Sequence, residues 1–264
     1  MCLNKYKYKK KQYIKIDIII FYIFKNKMIE KNLFQTWFTK DLHPNVQQVV
    51  DKIKALNPEY TYRIFDDAEM DQFVNEHYSG EIADCYNRLN IIVAKADFWR
   101  YLVIYKYGGV YLDMDASIDR PLCELIKDED EAIITAEGNP DAYVQWCMMY
   151  KKEHPILKRA IEIVVNNIKN NTYPNDVVNM TGPWALTRAF NEIQAEMFGK
   201  VFNQRDITRS TDITFSNVNI SYRIYGIDYS EFGRFKHDFI GDLYYGKTYW
   251  RIDQDEKSLL LPIP

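Results

Sequence analysis

The sequence predicts an α/β fold, a mainly parallel central sheet with helices on both faces. Strand, helix and strand alternate from Leu33 to Phe65, the pattern that builds a parallel sheet covered by helices. A second helix-to-strand passage, at residues 94–115, is broken by Gly108-Gly109. Trp37, Asp66 and Asp113 all fall at the carboxyl ends of predicted strands, the edge where ligands bind in such sheets. With 264 residues and 47% hydrophobic content, the chain fits one domain with a sizeable core.

Leu33–Trp37 reads as the first core strand, led in by Ile29. His43-Pro44 starts a helix, because Pro is tolerated in the first turn. Val46, Val49, Val50, Ile53 and Leu56 then recur at helical spacing, and Asn57-Pro58 ends the helix. Thr61–Phe65 alternates as a second strand, and Asp66 or Asp67 caps a helix that turns Met70, Phe73 and Val74 inward. Residues 81–107 read as helix in two pieces, with Gly108 as the C-terminal cap because Gly accepts positive φ. Ala132–Ala136 and Val144–Tyr150 are further predicted strands. Pro155–Ile168 and Pro183–Met197 are amphipathic helices, and the tail from Phe202 to Trp250 carries short strands.

The stretch AKADFWRYLVIYKYGGVYLDMD, Ala94–Asp115, holds the chemistry. Successive side chains of a strand point to opposite faces. Tyr111, Asp113 and Asp115 are therefore expected on one face and Val110, Leu112 and Met114 on the other. Two carboxylates side by side are costly unless a cation lies between them. Their hard oxygens suit Mg²⁺ or Mn²⁺ held jointly with a substrate's phosphates. The residues alone thus suggest a metal–diphosphate site. Asp97 and Arg100, three apart, share a helix face flanked by apolar residues, so the pair is read as buried and in need of further partners.

The string A-x-x-D-x-x-R-Y-x-x-I-Y-x-x-G-G-x-Y-x-D-x-D resembles the sugar-nucleotide glycosyltransferases of family 32, which share a core with the glucosyltransferase domains of large clostridial toxins. LFQTW at Leu33–Trp37, NPEYTYRIFDD at Asn57–Asp67 and TGPWALT at Thr181–Thr187 resemble flanking motifs of the same family. The resemblance spans roughly residues 29–250 and implies a GT-A-type nucleotide-diphospho-sugar transferase fold. It implies a metal-dependent enzyme that moves a sugar from a UDP- or GDP-sugar to a hydroxyl acceptor, with retention of configuration. It further implies catalytic roles for Asp113, Asp115 and Arg100, with Asp115 the more direct metal ligand. The implied donor contacts are Trp37, Gln35, Asp97, Arg100, Tyr111, Asp113 and Trp250, with Trp37 stacking on the base. His237 is the third candidate metal ligand, beside Asp113 and Asp115, and Asp242 competes with it. The chain departs from the family at Phe34, where His is usual, and in its tail, where His237 and Trp250 are spread far apart.

Those departures leave open a catalytically degenerate nucleotide-sugar-binding module. A nucleotidyltransferase, the other rival, also pairs aspartates with Mg²⁺, but the Gly-rich phosphate loop it needs is missing from the sequence. The absence of G-x-S-x-G argues against an α/β-hydrolase.

The net charge is −3 over the whole chain, yet residues 1–27 carry eight Lys against one Asp, a net of +7, which leaves −10 on the rest. An acidic body excludes nonspecific nucleic-acid binding. Cys2, Cys85, Cys123 and Cys147 have no metal or redox spacing and are read as reduced thiols, which favours a cytoplasmic location. Within residues 1–27 the uninterrupted apolar run is only Ile18–Phe24, short of the ~20 residues of a membrane span. Residues 1–27 are accordingly read as a non-core extension, and residues 28–264 as a single glycosyltransferase domain. A Golgi or secretory lumen is the alternative if the extension is a true anchor. Expected partners are the nucleotide-sugar donor and a glycan, lipid-linked or protein acceptor, with membrane contact only by means other than a spanning helix.

Overall fold

A computed structural model describes residues 28–135, 142–202, 213–224, 240–244 and 250–262. Its strands are β1 (Asn32–Thr36), β2 (Thr61–Phe65), β3 (Gly109–Leu112), β4 (Ala132–Ile134), β5 (Cys147–Tyr150), β6 (Ile213–Ser216) and β7 (Ser221–Ile224). They form one seven-stranded sheet in the order β2-β1-β3-β5-β4-β7-β6. Parallel pairing joins β2 to β1, β1 to β3 and β4 to β7; the other three pairings are antiparallel. Followed across the sheet, these pairings send β2, β1, β3, β4 and β7 one way and only β5 and β6 the other, so the sheet is mostly parallel. The architecture is an α/β domain, a mostly parallel sheet between helices, as the sequence predicts.

The helices are α1 (Pro44–Leu56), α2 (Asp67–His77), α3 (Glu81–Arg88), α4 (Ile92–Tyr107), α5 (Pro155–Asn170), α6 (Val177–Met180), α7 (Pro183–Phe198), α8 (Ile240–Leu243) and α9 (Trp250–Glu256). Side-chain alternation sorts the sheet into two faces. Phe34, Tyr111, Met148 and Tyr150 join the core built with α2–α5 and α7. Leu33, Val110, Leu112, Cys147 and Met149 join a smaller core covered by α1 and the segment 116–125. Helices therefore cover both faces, unequally.

Local chemistry explains the boundaries. Pro44 is the first residue of α1, and the His43 ring accepts the Asn45 amide as its cap. Asp66 caps α2 in a reciprocal box with Glu69, an arrangement worth about 1 kcal/mol. The helix expected over residues 81–107 breaks at Leu89–Ile91, where Leu89 bridges to Leu260 and the Asn90 amide donates to the Leu259 carbonyl. Gly108 ends α4 at φ 64°, and a Cβ there would lie 2.6 Å from the Lys152 nitrogen. Gly109 follows at φ 116°, with its missing Cβ 2.8 Å from that of Asn32. Only glycines let β3 enter beside β1 at this point.

Three expectations need adjustment. The strand expected over Val144–Tyr150 begins only at Cys147, because Gln145 and Trp146 bend so that their carbonyls face Arg100 and Asp113. The strand expected to carry both aspartates ends at Leu112, and Asp113–Ala116 is a turn closed by the Ala116 amide on the Asp113 carbonyl at 2.9 Å. Strand alternation therefore does not govern Asp115. The Tyr111 face of β3 is covered by α4 rather than open, with Tyr111 only 1% exposed. Ala136, within the strand expected over Ala132–Ala136, lies outside the described residues. In the tail the expected short strands include β6 and β7, accompanied by α8 and α9.

Cys85 and Cys147 are buried free thiols and Cys123 an exposed one; Cys2 lies outside the described residues. Among the described residues no helix is long and apolar enough to cross a membrane.

Candidate active site

A cavity of about 550 Å³ opens at the carboxyl ends of β1 and β3. Its wall includes Trp37, Asp97, Arg100, Tyr111, Asp113 and Asp115, so six residues read from the sequence as site residues meet in one place.

Arg100 organises the floor. Its Nη1 lies 3.1 Å from Asp113 Oδ1 and its Nη2 lies 3.2 Å from Asp97 Oδ1. Its Nε donates to the Ala96 carbonyl at 3.3 Å and its Nη1 to the Gln145 carbonyl at 3.4 Å. The guanidinium sits over the Tyr111 ring, 4.7 Å from the centroid. The planar fork of Arg suits this task, since one Lys ammonium could not span both carboxylates. Burial opposes the charge on Arg100, but Asp113, Tyr111 and Asp97 outweigh it and raise its pKa.

Asp97 has the opposite problem. Burial pushes its carboxyl well up from the usual Asp range, while Arg100 and the hydroxyl of Thr181, which donates at 3.2 Å, pull it back. Asp113 is the accessible member: its side chain is 28% exposed, against 8% for Asp97. The Tyr111 hydroxyl donates to Asp113 Oδ1 at 2.7 Å, and burial drives that phenol's pKa well above its ordinary value. Tyr111 thus fixes the carboxylate rather than offering an open face.

Gln35, read as a donor contact, is buried behind the strand ends at 1% exposure. Its amide donates to the Asp113 carbonyl at 3.2 Å and accepts from the Tyr62 hydroxyl at 2.8 Å, tying β1, β2 and the end of β3 together. It positions Asp113 from behind. Trp37 stands at the cavity edge, its ring 5.3 Å from Phe38 and 5.4 Å from the ring of Tyr244, which approaches edge-on. Asp242 lines a neighbouring pocket rather than this cavity: it accepts from Asn45 at 2.8 Å and lies 3.6 Å from His43 Nδ1. His237 and the side chain of Trp250 lie outside the described residues.

Three contributors were not assigned a role from sequence. Thr181 hydrogen-bonds Asp97, and the TGP motif that contains it was the available signal. Gln145 supplies a carbonyl to Arg100, with no signal in the sequence. Asp253, on α9, also lines the cavity.

With all groups ionised, Asp97, Asp113 and Asp115 against Arg100 leave a formal charge of −2 on this part of the wall. The donor set is hard oxygen, half-exposed at Asp113 and Asp115, which fits Mg²⁺ or Mn²⁺ held by two carboxylates and completed by a substrate's phosphates. Among the described residues no three His, Cys, Asp or Glu side chains cluster closely enough to cage a cation unaided.

Residues 43–133 match the glycosyltransferase sugar-binding region containing a DXD motif, a stretch that includes Asp97, Arg100, Asp113 and Asp115. The chain is 26% identical over 205 residues to the initiation-specific alpha-1,6-mannosyltransferase of Candida albicans, covering 61% of this chain and 52% of that protein. It is 28% identical over 160 residues to inositol phosphoceramide mannosyltransferase 3 of Schizosaccharomyces pombe, covering 60% of this chain and 44% of that protein. With mannosyl phosphorylinositol ceramide synthase CSH1 of Saccharomyces cerevisiae it shares 27% identity over 164 residues, or 62% of this chain and 43% of the relative. The chain thus spans about half the length of these relatives. Among solved structures, the PaToxG glycosyltransferase superposes with a TM-score of 0.52 at 17% identity, covering 72% of this chain and 79% of that one, a likeness of fold. The matched region and these relatives make the chain similar to glycosyltransferases of the DXD-containing type, the family its motif string resembles.

Proposed function

We propose that this chain transfers a sugar from a nucleotide-sugar donor to a hydroxyl acceptor with a divalent cation, and that Asp113, Asp115 and Arg100 carry the chemistry. The observation behind this reading is the acidic cavity, in which Asp97, Asp113 and Asp115 lie around the Arg100 guanidinium. A diphosphate entering such a wall meets net repulsion, and a divalent cation shared with Asp113 and Asp115 reverses it. When bound, Mn²⁺ or Mg²⁺ supplies Lewis-acid stabilisation of the charge on the leaving nucleotide.

The protein's own groups do the rest. Arg100, held by two carboxylates and two carbonyls, adds a fixed positive charge that needs no reorganisation as the glycosidic bond breaks. Asp97 binds hydroxyls of the donor sugar beside it, with Thr181 keeping its carboxyl oriented. Trp37 offers its ring to the base. Gln35 and Tyr111 hold Asp113 in register from behind. Configuration is retained by attack on the same face as departure, and the leaving phosphate takes the acceptor's proton. His237 is the proposed third ligand, since Asp242 is engaged at the start of α1. Trp250 is a proposed donor contact. The transferase unit is residues 28–264.

The names of these mannosyltransferase relatives make mannose the first sugar to test. Purified protein with Mn²⁺ is incubated with a panel of GDP- and UDP-sugars, and free sugar, nucleoside diphosphate and pyrophosphate are measured. Slow release of sugar and nucleoside diphosphate from one donor is the expected result. Release of pyrophosphate, or binding without turnover, contradicts it.

A further inference from the structure

The family match ends at residue 133, but the cavity does not. Its wall continues onto Val177 and Val178 of α6, onto Pro183 and onto Asp253 of α9. Helix α9 is held there from both sides. Gln254 Oε1 accepts the Val177 amide at 2.9 Å, and the chain just after α9 is tied to the loop before α4. The Asn90 amide and side chain donate to Leu259 and Ser258, both at 2.9 Å, and the Leu261 amide donates to Arg88 at 2.8 Å. This fastening aims one carboxylate inward. The Asp253 side chain is 16% exposed, and Lys257, one turn on, donates to its Oδ1 at 2.7 Å.

Asp253 does not join Asp113 and Asp115 in a three-carboxylate cluster among the described residues. Paired with Lys257, the Asp253 carboxylate adds no net charge to this end of the cavity and acts as a hydrogen-bond acceptor, which suits a neutral partner rich in hydrogen-bond donors. Beside it the wall is aliphatic, at Val177, Val178 and Pro183. A hydroxyl-accepting carboxylate next to an aliphatic surface matches a polyol ring, which has hydroxyls at its rim and C–H groups on its faces. Asp97, fixed by Arg100 and Thr181, is the carboxylate proposed above for the donor sugar.

Resting on the glycosyl-transfer reading above, we infer that α6 and α9 form the acceptor subsite, which takes a polyol ring, sugar or cyclitol, with Asp253 accepting its hydroxyls.

The test compares the full chain with its Asp253→Asn and Val178→Phe variants. Each is given Mn²⁺ and the donor the wild type hydrolyses best, with methyl α-mannoside or myo-inositol as acceptor. Asp253→Asn keeps the side chain's shape, and Val178→Phe narrows the same wall without touching the carboxylate. The expected result is a fall of at least tenfold in the ratio of transfer to hydrolysis for both variants, with a matching rise in acceptor KM. Preference for the mannoside identifies a glycan acceptor and preference for inositol a cyclitol one; either supports the subsite. An unchanged ratio in Asp253→Asn overturns it, as does a parallel loss of hydrolysis and transfer, which would put Asp253 on the donor. NMR titration of both polyols into the protein with Mn²⁺ and nucleoside diphosphate gives a second readout. Wild type that binds neither polyol overturns the subsite, whereas a wild type that binds them yet hydrolyses no donor contradicts the glycosyl-transfer reading instead.

Discussion

Replacing Arg100 by Met strips the one guanidinium from between Asp97 and Asp113 while keeping much of the side chain's apolar bulk. Asp113 can turn to water, being 28% exposed, but Asp97 at 8% cannot. Removing one partner of a buried ion pair costs about 3–5 kcal/mol, because the remaining charge is left uncompensated. For a domain of this size that corresponds to a fall in Tm of roughly 6–20 °C. The cost should depend on pH. Asp97 already has a raised pKa through burial, and without Arg100 it rises further. A group whose folded pKa is raised contributes stability at low pH and loses it as pH climbs through the folded value. Urea unfolding of Arg100→Met should therefore show a larger deficit at pH 8.5 than at pH 5.5. Adding Asp97→Asn should recover about half of it, since the stranded charge is gone. A deficit below about 1 kcal/mol at both pH values, or strict additivity of the two substitutions, would refute the charge balance described for this floor.

Two further consequences are independent of the site's function, and a third bears on it. His154 is fully buried, its Nδ1 accepting from Ile156 and its other nitrogen 3.0 Å from the Ser221 carbonyl, and burial lowers its pKa to about 4. That stability is present above about pH 6.5 and lost as pH falls toward 4. The loss is on the order of 3 kcal/mol from this residue, and its absence from the pH profile of His154→Asn checks it. Gly109→Ala should destabilise by several kcal/mol or abolish soluble expression, because positive φ and contact with Asn32 leave no room for a Cβ, and thermal melts decide it. Thr181→Val removes the hydroxyl that steadies Asp97; a donor KM raised severalfold with a modest stability loss of about 1–2 kcal/mol is expected, and an unchanged KM contradicts its role.

Much of this molecule is legible in its sequence because strong local signals coincide with tertiary needs. Pro44 at the front and Asn57-Pro58 at the back delimit α1, and Gly108 marks the end of α4. The string from Ala94 to Asp115 brings Asp97, Arg100 and Asp113 together through one helix, one glycine turn and one strand, so short-range periodicity suffices. What escaped depends on long-range geometry. Nothing local says that Gln145 and Trp146 bend to serve Arg100 and Asp113, shortening β5. Polar Gln35 reads as a ligand contact until its two buried partners on neighbouring strands are seen. Asp242 was a candidate ligand by type, and only the packing of α8 against α1 turns it to Asn45. Asp253 carries no motif at all; it is brought to the cavity by hydrogen bonds to residues far away in sequence.

The most direct test of the central reading is Mn²⁺-dependent turnover of the preferred sugar nucleotide by the wild type and by Asp115→Asn, measured across a manganese titration. The substitution keeps shape and removes one of the two charges proposed to hold the cation. Wild-type release of sugar should rise with Mn²⁺ and vanish with chelator, while Asp115→Asn, folded to the same Tm within a few degrees, should lose most turnover at every concentration. Near-normal turnover by Asp115→Asn, or wild-type turnover indifferent to chelation, would contradict the proposed site.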